Sequence, residues 1–407
     1  MNKILIEDIT KIKCAGGVVI SPDGKHAVFT VNEPDVKKNS YKYNLWLMDV
    51  KKGKASQFTF QGKDRSAIWD DSETLLIPTV RSEADTPDKI HKKSCFYRLS
   101  IKGGEACKAF EVNENVMQIF KVSDGLYAMT ILRDRNWLDP DQVDKELCEE
   151  ELDYHVIDEL PLWGNGRGFV SGKRTGLFLY NETTEELKQL TDPYFDVRTV
   201  SVQDGKIAYT GACWHDIITR CAELNIYDTK TGETVQVVAP EQMKIGPMAF
   251  AGDSVIYLAS DMKKWGSGQL SDIYRYDLAS GKSEMVWKND IEMSLGSNIT
   301  TDTAMIGGKT YVARDGIFYI TGLSHAKAEI YSFGKDDQLK KAVNMPGGGI
   351  VSFDVYGDTV VMTAQPENAA TDIFTATLGE KPADELKQVT HINEELFNDK
   401  YIANAEY

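Results

Sequence analysis

Short runs of alternating apolar and polar residues recur along the chain, each closed by Gly, Asp, Asn or Ser, and outside one segment no long amphipathic helix interrupts them. Alternation with period two puts every second side chain on one face of a strand, so the pattern predicts an all-β fold. The clearest unit is an apolar strand that ends in a polar turn. It is seen in LWLMDVKKGKASQFT from Leu45, FYRLSIKGGEACKAF from Phe96, LFLYNETTEELKQLT from Leu177 and LNIYDTKTGETVQVV from Leu224. It returns in IYRYDLASGKSEMVW from Ile273, IYSFGKDDQLKKAV from Ile330 and IFTATLGEKPADELKQVT from Ile373.

A second hairpin turn precedes each copy: Asp23-Gly24, Asp71-Ser72, Asp124-Gly125, Asp204-Gly205, Gly252-Asp253, Gly307-Gly308 and Gly357-Asp358. Such pairs supply the backbone conformations that tight hairpins need. Two hairpins make four antiparallel strands, and a unit of about 50 residues repeated in this way predicts a seven-bladed β-propeller of four-stranded antiparallel blades. The copies start 51, 81, 47, 49, 57 and 43 residues apart, so the third blade carries an insertion. Within it Asp139, Pro140 and Gln142 predict a short helix with Asp139 as its N-cap. Blade one runs from about Gly16 to Gln61 and blade seven from about Gly349 to His391, so neither end has to lend the other a strand. The expected division is a lead-in at 1–15, a propeller at 16–393 and a linker at 394–407.

Repetition also explains a length of 407 residues, beyond what one core usually supports. Sixty-two acidic against 46 basic residues leave a formal charge of −16, which repels phosphate backbones and anionic lipid and argues against nucleic acid as a partner. Charges break every apolar run, including the opening MNKILIEDITKIK, so neither a signal segment nor a membrane span is expected and the chain reads as cytoplasmic. Cys14, Cys95, Cys107, Cys148, Cys213 and Cys221 show no metal-finger spacing and read as reduced thiols. No metal and no cofactor is expected.

Candidate chemistry is sparse. A serine nucleophile needs a strand, a strained turn and a helix. The one near match, Gly322-Leu323-Ser324-His325-Ala326, is followed by a strand, so no catalytic residue is assigned. Gly164-Asn165-Gly166-Arg167-Gly168 lacks the Lys-Ser/Thr of a phosphate loop. Ten of the 21 residues from Asp139 to Glu159 are acidic, and Arg133, Arg135, Arg167 and Arg174 flank them, available to pair with these carboxylates or with a peptide carboxylate. The seven tryptophans read as packing between blades. Ser66, Gln118, Ser201, Asn298 and Ser352 are expected on inner strands near the axis, a poor ligand set for a divalent cation, which disfavours a metal enzyme of the lactonase type.

Three segments carry a family resemblance. VVISPDGKHAVFTV with NLWLMDVKKGKASQFT, YHVIDELPLWGNGRGFVSGKRTGLFLYNETTEELKQLTD, and the closing KQVTHINEELFNDKYIANAEY resemble the N-terminal propeller of prolyl-oligopeptidase-family serine peptidases, the acylaminoacyl-peptidase branch most of all. The resemblance implies a non-catalytic domain that gates and selects short peptides for a C-terminal α/β-hydrolase domain of the same polypeptide. One dipeptidyl-peptidase-like subgroup anchors a peptide's amino terminus with glutamates on an inserted helix, which makes Glu149, Glu150 and Glu151 candidates. His391, Leu396, Phe397 and Tyr401 are the expected interdomain linker, with the apolar ones partly exposed or frayed. The alternative is a free-standing propeller that acts as a protein-interaction scaffold.

Overall fold

The computed structural model describes residues 2–299, 301 and 303–403. It is mostly β-strand, with two short α-helices among the described residues, Lys145–Glu150 and Glu394–Phe397. Four-stranded antiparallel sheets come from Cys14–Gln57, from Ile68–Val112 and from Val116–Gln189, the last interrupted by the insertion between its second and third strands. The long strand Thr234–Ala251 pairs first with Ala222–Asp228 and then, past its middle, with Ser254–Ser260. It therefore belongs to two successive four-strand groups. One parallel bridge, Ala328 with Gly349, likewise joins the last two groups.

The hairpin copies read from the sequence are the third and fourth strands of these groups, and they share a register. Leu45, Leu177, Leu224, Ile330 and Ile373 each stand opposite a threonine of the second strand: Thr30, Thr130, Thr210, Thr321 and Thr363. All five threonines are buried. A second recurrence closes three fourth strands. The N–H groups of Leu45, Leu177 and Ile373 donate to the hydroxyls of Thr59, Thr191 and Thr390 at 2.9, 3.0 and 2.9 Å. The Gln two residues earlier, Gln57, Gln189 or Gln388, donates to the same threonine's carbonyl. Each Gln-x-Thr thus satisfies main-chain groups where the ladder ends.

Hydrophobic clusters lie between neighbouring groups rather than within one. Val28 and Leu45 pack with Trp69 and Leu75, and Leu76 and Phe96 with Ile119 and Met129. Ala15, Val18 and Phe29 of the first sheet pack with Val361 and Ile373 of the last. Burying one such side chain stabilises by about 1.5–3 kcal/mol. The first and last groups share no strand among the described residues. Packing joins them, together with side-chain bonds such as Ile20 N–H to Asp354 at 2.9 Å.

Several expectations change. The helix starts at Lys145 with Asp144 as N-cap, whose side chain accepts from the Glu146 N–H. Asp139 caps only a single turn, because both aspartates offer the same short acceptor and the chain continues helically after the second. Gly307-Gly308 forms no hairpin; Asp315-Gly316, both at positive φ, turns between Tyr311–Arg314 and Ile317–Ser324. Ser66 and Asn298 lie outside strands. Trp163 and Trp265 are exposed rather than packed between sheets.

Candidate functional site

In each group the first strand ends in the turn to the second, and the connection from second to third strand lies at the opposite end. The chain enters the first sheet at Cys14, opposite Asn32, and leaves the last at Gln388, opposite Phe374. Both points lie at the second-to-third connection end. The insertion leaves at Asp134 and returns at its cross-strand partner Lys173, also at that end. Neighbouring groups are kept level by Ala15 N–H to Thr371 at 3.3 Å and by the bridge between Leu160 and Ile217. Both chain ends and the acidic insertion therefore emerge on one face.

Glu159 roots the insertion. It is buried, and its carboxylate takes Arg174 through both Nη atoms at 3.0 and 2.8 Å, Arg135 at 2.8 Å and the Gly172 N–H at 2.8 Å. Burial alone would raise this carboxyl, but Arg174, the Gly172 N–H and Arg135 outweigh it and hold it below the usual range. Arg174 is only 2% exposed, and its guanidinium lies over Trp214, 3.4 Å from the ring centroid. It also donates to the carbonyls of Lys173, Tyr194 and Trp214. Arg135 lies over Tyr194. A guanidinium suits this role because its planar fork stays charged and satisfies several acceptors at once.

The sequence candidates are thus divided by the fold. Arg133 is held by Glu114 and Gln189 and lies over Phe178. Arg135 and Arg174 share Glu159, and Arg167 is exposed on the hairpin Trp163–Phe169. Glu149 and Glu150 are exposed on the outer side of the helix; Glu149 lies 3.7 Å from Lys145. Glu151 is half-buried and accepts from the Tyr154 hydroxyl. Among the described residues none of the four arginines pairs with the three glutamates, and Glu159, not singled out in the sequence, is the residue that binds two of them. Its signal was there in principle: it is the last acid before the insertion rejoins a strand carrying Arg174.

Under the insertion lies a cavity of about 200 Å³, lined among others by Trp137, Leu152, Phe169, Cys148, Glu151 and Lys173. An adjoining cleft of about 770 Å³ contains Lys92, whose ammonium sits 4.1 Å from the Trp137 ring centroid. Val156, Ile157, Leu160, Leu162 and Trp163 of the insertion are exposed apolar side chains, as is Ile217, which bridges to Leu160.

A second apolar patch surrounds the chain ends. Ile4, Leu5, Ile6 and Ile9 are exposed, Ile6 to 90%, beside exposed Tyr401. The closing tail is not left without a partner: Lys400–Tyr401 pairs in parallel with Asn2–Lys3, and Asn393 exchanges two hydrogen bonds with the main chain of Lys13. Leu396 and Phe397 are half-buried, and His391 is exposed with Nδ1 3.8 Å from Glu394. Positions 404–407 of the expected linker lie outside the described residues.

Ser324 and His325 sit in the hairpin between Ile317–Ser324 and Lys327–Phe333, where no helix follows. The hydroxyl lies 3.1 Å from His325 Nδ1 on an exposed turn. Among the described residues, no three His, Cys, Asp or Glu side chains are grouped to hold a metal, all six cysteines are unpaired, and no helix is long and apolar enough to cross a membrane.

No protein-family model matches the chain. A relative described as an uncharacterized peptidase, YuxL of Bacillus subtilis (strain 168), is 26% identical over 194 residues, covering 47% of this chain and 28% of its own. Among solved structures, an acylaminoacyl peptidase in complex with Z-Gly-Gly-Phe-chloromethyl ketone superposes with a TM-score of 0.70 at 14% identity, over 97% of this chain and 55% of its own. The β-propeller domain of the Trilobed protease from Pyrococcus furiosus, described as having an open velcro topology, matches with a TM-score of 0.60 at 14% identity, over 94% of this chain and 99% of its own. The structural neighbours are acylaminoacyl peptidases and other prolyl oligopeptidase family members, and the fold is that of their propeller. This chain spans about half the length of the full peptidases it superposes on.

Proposed function

We propose that this chain is the non-catalytic, substrate-selecting propeller of a cytoplasmic serine peptidase that acts on short peptides, with an α/β-hydrolase domain in the same polypeptide. The observation that carries the reading is the shared face: both chain ends, the acidic insertion and both exposed apolar patches lie at one end of the strands. A domain attached through 394–407 would cover that face. Seven four-stranded blades are the architecture proposed, with 1–15 as lead-in and 16–393 as ring. Seven interfacial core clusters, one joining the first sheet to the last, support the count.

In this reading Glu149, Glu150 and Glu151 meet a peptide's amino terminus, and the insertion that bears them is set by the buried Glu159 pairings. The arginines Arg133, Arg135 and Arg174 act through the wall rather than on the peptide, while Arg167 stays free to meet a carboxylate. The reading is tested with a serine-directed fluorophosphonate probe on this chain and on the polypeptide encoded by the full reading frame. This chain should stay unlabelled, and the coding sequence after Tyr407 should contain a G-x-S-x-G elbow followed by Asp and His and yield a labelled product. A stop codon directly after Tyr407 would instead favour an interaction scaffold.

A further inference from the structure

The first and last sheets pack against each other without sharing a strand, yet their inner edges are not bare. A connection described at residues 296–299, 301 and 303–310 leaves the preceding group, where the Gly296 N–H donates to the Thr321 carbonyl at 2.7 Å. It crosses the last sheet: Asn298 Nδ2 donates to the Val351 carbonyl at 2.9 Å, and Thr301 Oγ1 donates to Gln365 Oε1 at 2.6 Å. Gln365 Nε2 in turn donates to Thr303 Oγ1 at 2.8 Å. The segment then reaches the first sheet at Gly16 and returns along the inner edge of Gly349–Tyr356, where the Phe353 N–H donates to the Lys309 carbonyl at 3.1 Å. The Thr321 N–H to Thr310 carbonyl bond, 2.8 Å, brings it home to the group it left.

We propose that residues 296–299, 301 and 303–310 form a strap that locks the seam between the first and last sheets, taking the place of an exchanged strand. One hydroxyl joins all three parts. Thr371 Oγ1, in the last sheet's second-to-third connection, accepts from Ala15 N–H of the first sheet at 3.3 Å and donates to the strap carbonyl of Thr303 at 3.0 Å. Two glycines are explained by the same seat. A Cβ on Gly16 would lie 2.6 Å from Ile306 Cβ, and a Cβ on Gly308 would lie 2.4 Å from Ser352 Cβ, closer than side-chain carbons approach. Neither glycine has a positive φ, so close approach and not backbone conformation requires them.

The consequence is a ring with a catch. Its inner strands at the seam cannot separate until the strap lifts, and Met305 and Lys309 are exposed along it. Lifting the strap frees the inner-edge N–H of Phe353 and removes the Ile306 wedge from Gly16, so opening is confined to one of the interfaces around the ring. The inference is independent of the peptidase reading, since it concerns only how this chain closes.

Amide hydrogen exchange on the purified chain tests it, comparing the native sequence with Ile306→Ala, with Gly308→Ala and with the double variant Gly308→Ala, Ser352→Gly. In both single variants, exchange in 14–20 and 349–356 should rise by about tenfold while 126–134 and 173–181, well away from the seam, keep their rates. The double variant should return the seam to native protection, because removing the Ser352 side chain makes room for the added methyl. Unchanged seam exchange in both single variants, or an equal rise in 126–134, would overturn the proposal, as would a double variant no better protected than Gly308→Ala alone.

Discussion

The carboxylate of Asp8 lies 3.1 Å from the ammonium of Lys400, tying the first turn of the chain to its last strand. Asp8 also accepts from the Leu5 N–H at 2.9 Å and from Lys11 at 3.0 Å. The Leu5 N–H first, then Lys11 and Lys400, hold its carboxyl well below the usual range. A lowered acid stabilises fully above its unfolded pKa of about 3.9, and that contribution is lost as pH falls below it. Exchange at Asn2–Lys3 and Lys400–Tyr401 should therefore rise on acidification before the sheets respond. Asp8→Asn should produce the same local opening at neutral pH, with the melting temperature of the body little changed.

Glu159→Gln leaves two guanidiniums facing a neutral amide in a buried site. Breaking one side of such a cluster costs about 3–5 kcal/mol, which urea unfolding would read directly. Combining it with Arg174→Met should recover part of the loss, since removing a buried charge is less harmful than orphaning it.

Thr59→Val, Thr191→Val and Thr390→Val each strip the acceptor from one main-chain N–H of a third strand, just past the point where its ladder with the fourth strand ends. The expected loss is about 1–3 kcal/mol apiece. Thr59 and Thr191 sit in different sheets, so their double variant should be near the sum. Thr390→Val should cost most, because its hydroxyl also donates to Asp372 at 2.6 Å, a buried carboxyl that desolvation already raises.

Tyr209 predicts an alkaline limit. Burial, with the Glu223 charge adding to it, pushes its phenol up to about 12. The stabilisation from keeping the phenol neutral is complete below its ordinary pKa and is lost as pH rises through 12. A rise of this size corresponds to about 3 kcal/mol. Denaturation followed by tyrosinate absorbance should fall in that window, and Tyr209→Phe should flatten the pH dependence between about 10 and 12.

Under the proposed function, replacing Glu149, Glu150 and Glu151 together by Gln in the polypeptide of the full reading frame should reduce a preference for peptides with a free amino terminus over blocked ones. The loss should appear in KM more than in kcat, because the contact is made in the ground state as well as in the transition state. Equal discrimination before and after the replacement would remove these residues from the site.

The repeat was legible because its determinants are local. Alternation and turn chemistry placed the hairpins at Leu45, Leu177 and Ile373, and the same residues stand opposite the buried threonines Thr30, Thr130 and Thr363. Where one letter serves two physical needs, local reading failed. Gly307-Gly308 looks like a hairpin turn, but Gly308 is small because Ser352 lies against it. Glu159 looks like one more solvated acid in an acidic run until Arg135 and Arg174 close on it.

From the sequence alone came the all-β class, the hairpin period, the place of the insertion and the first and last groups each complete in itself, since each depends on residues within about one repeat of one another. The tertiary structure alone decided that the closing tail clasps the opening segment, that Arg135 and Arg174 turn inward to one glutamate, and that Ile306 reaches Gly16 of the first sheet. These arrangements join Asn2 to Lys400, Arg174 to Trp214 and Gly16 to Ile306, pairs whose meeting depends on how separate sheets pack and not on any pattern in the residues between them.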